Sequence, residues 1–139
     1  MKGVFHCKGC GSALSGEIAL QSLKDPAVQQ PAMLDQQPVC PIGMGYKSYE
    51  PFQRSFDPAN PAPLEFSPQY WLNPEDVIEA CRMTKKHERT IGCCGISGNG
   101  APNLLCRKCR TEVGTMQTDC FTPLIFIPDP SNTEFRKAD

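Results

Sequence analysis

Short apolar runs separated by turns determine the secondary structure that this chain predicts. Residues 111–116 alternate between polar and apolar side chains, which is typical of a strand with one buried face. Residues 121–127 form the most apolar run and predict a strand in the core. Two shorter strand-like segments, residues 3–7 and 103–105, each lead into a pair of cysteines. The pattern therefore predicts a mainly β chain built from short strands.

One segment carries the signals of a helix start. Asn73 can cap a helix, Pro74 suits the first helical position, and two acidic residues follow where the first turn would lie. We expect one short helix that begins here and ends before Gly92.

Proline is concentrated in two stretches that are poorly suited to central strands. Residues 24–45 contain four prolines and residues 51–74 contain six. We therefore predict a loop-rich insertion over about residues 24–72. It would lie within a single domain that spans residues 1–139, a length that suits one core. The polar residues of about 129–139 predict a frayed tail.

Charge is unevenly distributed, although the formal net charge is only −1. Residues 26–81 contain seven acidic and two basic residues, whereas residues 82–110 contain seven basic residues and one acidic residue. A basic stretch can attract nucleic acid or an acidic protein. It can also be a solvated face that offsets the charge of a thiolate metal site. The sequence leaves these interpretations open.

Targeting signals are missing from the pattern of apolar residues. No stretch of about 18 apolar residues occurs, and the first seven residues contain no apolar signal-peptide core. We therefore expect a cytoplasmic protein without a membrane partner. Thiols stay reduced in the cytoplasm, so paired cysteines there are more often metal ligands than disulfides.

Two Cys-x-x-Cys pairs supply the strongest chemical signal. They consist of Cys7 with Cys10 and Cys106 with Cys109, and 95 residues separate the pairs. Four thiolates at this spacing can surround one zinc ion as a tetrahedron. Such a shell is closed, so the metal would stabilise the fold and do no catalysis. Iron is the alternative metal, because thiolates also bind iron.

The other five cysteines permit two interpretations. Cys93, Cys94 and Cys120 could form a second metal site with a fourth ligand from His87, Cys81 or Cys40. The alternative, which we favour, is that they are small buried thiols. Asp119 beside Cys120 would raise the pKa of that thiol, which argues against a redox nucleophile there.

The two cysteine pairs resemble a known family pattern. Residues 5–14 and 105–114 resemble the paired zinc knuckles of the β-tent folds. Those folds include methionine sulfoxide reductase B, Yippee-like proteins and the thalidomide-binding domain of cereblon. Residues 92–123 also resemble small bacterial zinc-ribbon proteins. The resemblance implies two antiparallel sheets pinned at one end by one structural zinc ion. It does not imply reductase activity, because the Gly-Trp-Pro and Arg-Tyr-Cys motifs of that enzyme are absent.

Three functional hypotheses follow from these patterns. The first is a non-catalytic, zinc-stabilised protein-binding module, such as a bacterial immunity or inhibitor protein that neutralises a toxin or effector. Its predicted partner-binding residues are Trp71, Tyr70, Lys85, Lys86 and Arg89. Trp71 and Tyr70 could instead be ordinary core residues, which is the default interpretation of a cluster of aromatic side chains.

The second hypothesis is a nucleic-acid-binding or regulatory zinc ribbon that uses the same three cations with Arg107, Lys108 and Arg110. The third is a thiol-dependent oxidoreductase related to methionine sulfoxide reductase B, acting through Cys120 or Cys94. The sequence contains no motif for a small-molecule substrate.

Overall fold

The computed structural model describes residues 1–52, 64, 66–90, 95, 96, 102–119 and 122–138. Nine strands lie within these residues. They are β1 (Lys2–Cys7), β2 (Ile18–Ser22), β3 (Met44–Ser48), β4 (Gln69–Leu72), β5 (Cys81–Met83), β6 (Leu104–Cys106), β7 (Glu112–Gln117), β8 (Ile125–Pro128) and β9 (Thr133–Lys137). The prediction of a mainly β fold is confirmed.

All nine strands belong to one sheet with the order β5-β6-β7-β8-β4-β3-β2-β1-β9. Every neighbouring pair is antiparallel except β2 and β3, which run parallel. A parallel pair needs a long crossover connection, and the proline-rich residues 23–43 supply it. The expected loop-rich insertion therefore contains two strands, β3 and β4, joined to the rest of the sheet.

The carboxyl-terminal residues are part of the sheet, so the prediction of a frayed tail is wrong. Strand β9 pairs with β1 from Gly3 opposite Lys137 to Cys7 opposite Thr133. The ring of Phe135 lies 5.0 Å from the ring of Phe5. Polarity alone misled the prediction, because the partner strand of this segment lies at the other end of the chain.

The predicted helix is a single 3-10 turn, Pro74–Asp76. The Asn73 side chain caps it by accepting a hydrogen bond from the Glu75 amide at 2.9 Å, as the sequence predicts. A second 3-10 turn spans His87–Arg89, and strand β5 separates the two. No helix within the described residues has the length and apolarity needed to cross a membrane.

Buried side chains form two clusters on opposite faces of the sheet. Leu72 of β4 and Phe126 of β8 belong to the first cluster, together with Cys7 and Cys106. Trp71 belongs to the second cluster with Ile125. Successive residues of a strand point to opposite faces, so the two clusters alternate along β4 and β8. The first cluster thus includes two of the four paired cysteines.

Candidate metal centre

The first Cys-x-x-Cys pair lies in a tight turn after β1, which we call the first knuckle (residues 7–12). The Cys7 amide donates to the Ser12 carbonyl at 2.9 Å, and the Gly11 amide donates to the Cys7 carbonyl at 2.8 Å. Gly11 has a φ of 77°, a left-handed conformation that glycine adopts without steric cost. These bonds fold the backbone back so that both sulfurs point to one side.

The second pair, in residues 106–111 (the second knuckle), repeats this backbone arrangement after β6. The Cys106 amide donates to the Thr111 carbonyl at 2.8 Å, and the Arg110 amide donates to the Cys106 carbonyl at 2.8 Å. Arg110 has a φ of 64°, so an arginine occupies the left-handed position that Gly11 occupies in the first knuckle.

Strands β1 and β6 lie second from opposite ends of the sheet, and the knuckles bring them together. All four Sγ atoms lie within 4.8 Å of one another. The sheet therefore curls until its two ends meet at the cysteines. Residues about a hundred positions apart in sequence form one site there.

The spacing of the sulfurs fits a single metal ion. The Sγ atoms of Cys7 and Cys109 are 3.5 Å apart, and those of Cys10 and Cys106 are 3.7 Å apart. Sulfurs placed about 2.3 Å from one ion at tetrahedral angles lie about 3.8 Å from each other. The four cysteines can therefore hold a metal ion whose coordination positions are all filled by protein.

The two exposed cysteines have neighbours that favour the thiolate, the form that binds metals. The Thr111 hydroxyl, 3.0 Å from Cys109 Sγ, lowers the pKa of Cys109 to about 6, and the Thr111 amide adds to this effect. The Ser12 hydroxyl lowers the pKa of Cys10 in the same way. Burial has the opposite effect on Cys106 and raises its pKa to about 11.

The two other described cysteines are buried neutral thiols. Cys81 lies directly opposite Cys106 in the β5–β6 pair. Burial, followed by the charges of Cys106 and Cys7, raises the pKa of Cys81 to about 12. Burial, followed by the charge of Asp76, raises the pKa of Cys40 to about 12 as well.

These positions agree with the buried-thiol interpretation for both residues. Among the described residues, only the paired cysteines form a cluster of ligands for a metal. Cys93, Cys94 and Cys120 lie outside the described residues, so the second metal site and the thiol-enzyme hypothesis stay untested predictions.

The aromatic residues predicted to bind a partner are largely internal. Trp71 is only 7% exposed, and its indole N–H donates to the side-chain oxygen of Gln69 at 3.1 Å. Tyr70 is half-buried, with its ring 5.2 Å from that of Phe5. Trp71 is therefore mostly enclosed by protein, because β4 lies in the middle of the sheet, and its role in binding a partner stays a prediction.

The predicted cations lie on the surface near the second knuckle. Lys85 and Lys86 are exposed, and Arg89 is half-buried. The carboxylate of Glu112 lies 3.3 Å from the Lys86 ammonium and 2.7 Å from the Arg89 guanidinium. Two of the three predicted cations thus share one acidic partner, while Lys85 extends into solvent.

Three surface concavities among the described residues are the other candidate sites, and one of them, of about 570 Å³, is lined by residues from the range 29–41 and by Tyr46. A cleft of about 840 Å³ lies between residues 23–33 and residues 48–51 and 67–71. A smaller basic pocket of about 310 Å³ is lined by Arg82, Thr84, Lys85, Lys86, Leu105 and Arg110. Arg82 was not among the predicted site residues, although the basic composition of residues 82–110 pointed to this region.

Comparison with models of protein families, with curated protein sequences and with solved structures returns no match. The resemblance to β-tent proteins therefore stays a prediction about family. The mainly β fold and the clustering of the four cysteines are confirmed independently of it.

Proposed function

We propose that the protein is a non-catalytic, zinc-stabilised module that binds a segment of a partner protein in the cleft. The metal is structural in this proposal, because four cysteines leave no coordination position for water or substrate. Zinc is the proposed ion, since a tetrahedral set of four thiolates is a typical structural zinc shell.

The observation that carries the proposal is the composition of the cleft. Its apolar walls include Leu23, Met33, Tyr49, Pro51, Pro68 and an edge of Trp71. Flexible methionine and rigid aromatic or proline surfaces suit contact with another chain, because they bury apolar area at low entropic cost. A volume of about 840 Å³ can accept several side chains of an extended peptide segment.

Charge around the Tyr49 ring in the cleft suggests what that segment contains. The ammonium of Lys24, which lines the cleft, lies 4.0 Å from the centre of this ring. The Lys47 ammonium, outside the cleft lining, lies 5.5 Å from the ring centre, and Glu50 is the one acidic residue among the described residues of the lining. Two cations above one ring favour a segment that carries an acidic residue beside its apolar ones. The predicted role as a bacterial immunity or inhibitor protein is the special case in which this partner is a toxin or effector.

The test measures the affinity of a partner purified from the native host for two variants of the zinc-loaded chain. Met33→Asp places a charge in the apolar wall and should raise the Kd at least about tenfold. Ile42→Asp is the matched control, because Ile42 is 66% exposed and lies outside the cleft. Both variants should retain zinc. If the partner is a toxin, coexpression should rescue cells with Ile42→Asp and fail to do so with Met33→Asp.

Two results would overturn the proposal. The first is equal affinity of the partner for both variants. The second is recovery of no binding protein from the host together with tight, salt-sensitive binding of nucleic acid.

A further inference from the structure

The backbone of Arg110 provides the starting observation. In the second knuckle this residue adopts a φ of 64°, and in the first knuckle Gly11 adopts a φ of 77° at the equivalent place. A left-handed conformation is unfavourable for any residue with a Cβ atom. Backbone strain of this kind is concentrated at functional sites, so its presence here points to a role for the arginine side chain.

That side chain lines the basic pocket. Arg82 of β5, Lys85 and Lys86 line the same pocket, and Leu105 of β6 contributes an apolar wall. At about 310 Å³ the pocket is at the small end of the range for ligand sites, so it fits a compact group.

The cations of the basic pocket are mostly unpaired. Lys86 shares Glu112 with Arg89. The side chains of Arg82, Lys85 and Arg110 form no ion pair or hydrogen bond with any other described residue. Three unpaired positive charges around one small pocket repel each other, and a bound anion would remove that repulsion.

We propose that the basic pocket binds the phosphate group of a small molecule. A phosphate dianion offsets more of this charge than a single carboxylate does, and two guanidinium groups provide the forked donors that phosphate oxygens accept. Nucleic acid fits less well. Among the described residues that line the pocket there is no aromatic ring on which a base could stack, and the pI of the chain is about 6.1. This site is separate from the cleft and does not depend on the proposed function.

The test titrates inorganic phosphate into the zinc-loaded full chain and follows the amide resonances of Leu105 and Arg110 by NMR. Saturable shifts should appear at these positions, with chloride as the ionic-strength control. Arg110→Gly should raise the Kd at least about tenfold. This variant relieves backbone strain, so it should remain folded. Arg136→Gln is the control, because Arg136 pairs with Glu134 and does not line the basic pocket.

Several results would overturn the inference. One is non-saturable binding, and another is an unchanged Kd for Arg110→Gly. Tighter binding of a glutamate-rich peptide than of phosphate, lost in Arg110→Gly, would assign the pocket to an acidic protein. Sub-micromolar, salt-dependent binding of a labelled single-stranded oligonucleotide, lost in the same variant, would assign it to nucleic acid.

Discussion

The two knuckles have the same backbone hydrogen bonds but different side chains at the equivalent positions. The first knuckle has glycine at positions 9 and 11, whereas the second has Lys108 and Arg110 there. In the first knuckle, Gly11 adopts the left-handed conformation that the turn requires without steric cost. In the second knuckle, Arg110 adopts the same conformation with backbone strain, and it lines a pocket. The second knuckle therefore contributes Arg110 to the lining of a surface pocket as well as two cysteines to the candidate metal centre.

The knuckles also dock against different parts of the fold. The Lys8 amide donates to the Asn132 carbonyl at 2.9 Å, in the turn before β9. The Arg107 amide donates to the Ala80 carbonyl at 3.0 Å, just before β5. Each knuckle is thus attached to an edge strand, and the metal centre connects the two edges of the curled sheet. Both halves of the site are needed for that connection.

The largest expected effect is one that the two knuckles share. Cys7→Ser and Cys106→Ser should each abolish stoichiometric zinc and unfold the protein. The reason is that structural zinc contributes about 10–16 kcal/mol, which matches or exceeds the whole stability of a typical domain of about 5–15 kcal/mol. Metal analysis and circular dichroism measure the two effects. Chelation of the metal from the unmodified protein should have the same result.

Cys81→Ala is the control for that experiment, since Cys81 lies opposite Cys106 but outside the cluster of four. It should lose some packing energy and keep one zinc per chain. A Cys7→Ser variant that melts at the same temperature as the unmodified protein would contradict the structural role of the metal.

The second expected effect distinguishes the knuckles. A Cβ atom added at Gly9 would overlap the Thr111 hydroxyl and lie 3.1 Å from Cys109 Sγ. Gly9→Ala should therefore lower the free energy of unfolding by about 1–3 kcal/mol. Lys108 occupies the equivalent position in the second knuckle and is exposed. Lys108→Ala should therefore change the free energy of unfolding by less than about 0.5 kcal/mol. Urea unfolding of the zinc-loaded variants measures both values.

Thr111→Ala provides a further check on the Gly9 contact. Because this change removes the hydroxyl, the double variant with Gly9→Ala should be more stable than the sum of the single effects predicts. Strictly additive changes in the free energy of unfolding would show that a Cβ atom at residue 9 does not overlap the Thr111 hydroxyl.

Local sequence signals predicted the clustering of the four cysteines, whereas the pairing of distant segments was missed. The ligands follow from two short motifs, because a Cys-x-x-Cys turn has much the same geometry wherever it occurs. The cap of Asn73 is equally local, and it is confirmed. By contrast, the sheet position of residues 133–137 depends on pairing with β1, which is distant in sequence, and it was not predicted. Proline content could not predict that β4 lies at the centre of the sheet.

The basic pocket is an intermediate case. The excess of cations in residues 82–110 was visible in the sequence, and it correctly located a positive surface. Arg82 and Arg110 line one pocket only because β5 pairs with β6, which leads into the second knuckle. The identity of residue 110 did not predict its left-handed backbone, because arginine rarely adopts a φ of 64°. The only local signal was the glycine at the equivalent place in the first knuckle, Gly11.

The smallest expected effects come from substitutions of the left-handed residues in the two knuckles, Gly11 and Arg110. Gly11→Ala should lower the free energy of unfolding by about 1 kcal/mol, because the change adds backbone strain. No atom outside the neighbouring residues lies within 4 Å of the added Cβ, so steric overlap does not contribute. Arg110→Gly should raise the free energy of unfolding by up to about 1 kcal/mol, since relief of strain exceeds the entropy that glycine gains in the unfolded chain.

The two substitutions should change the free energy of unfolding in opposite directions. A gain in stability for Arg110→Gly would mean that Arg110 lowers the stability of the unmodified protein. Calorimetric melting of the zinc-loaded variants, at matched salt to limit changes in screening, measures both effects. A loss of stability for Arg110→Gly as large as that for Gly11→Ala would show that the arginine stabilises the second knuckle, through the charge of the neighbouring thiolates. The strain argument for the basic pocket would then fail, and only its unpaired cations would support it.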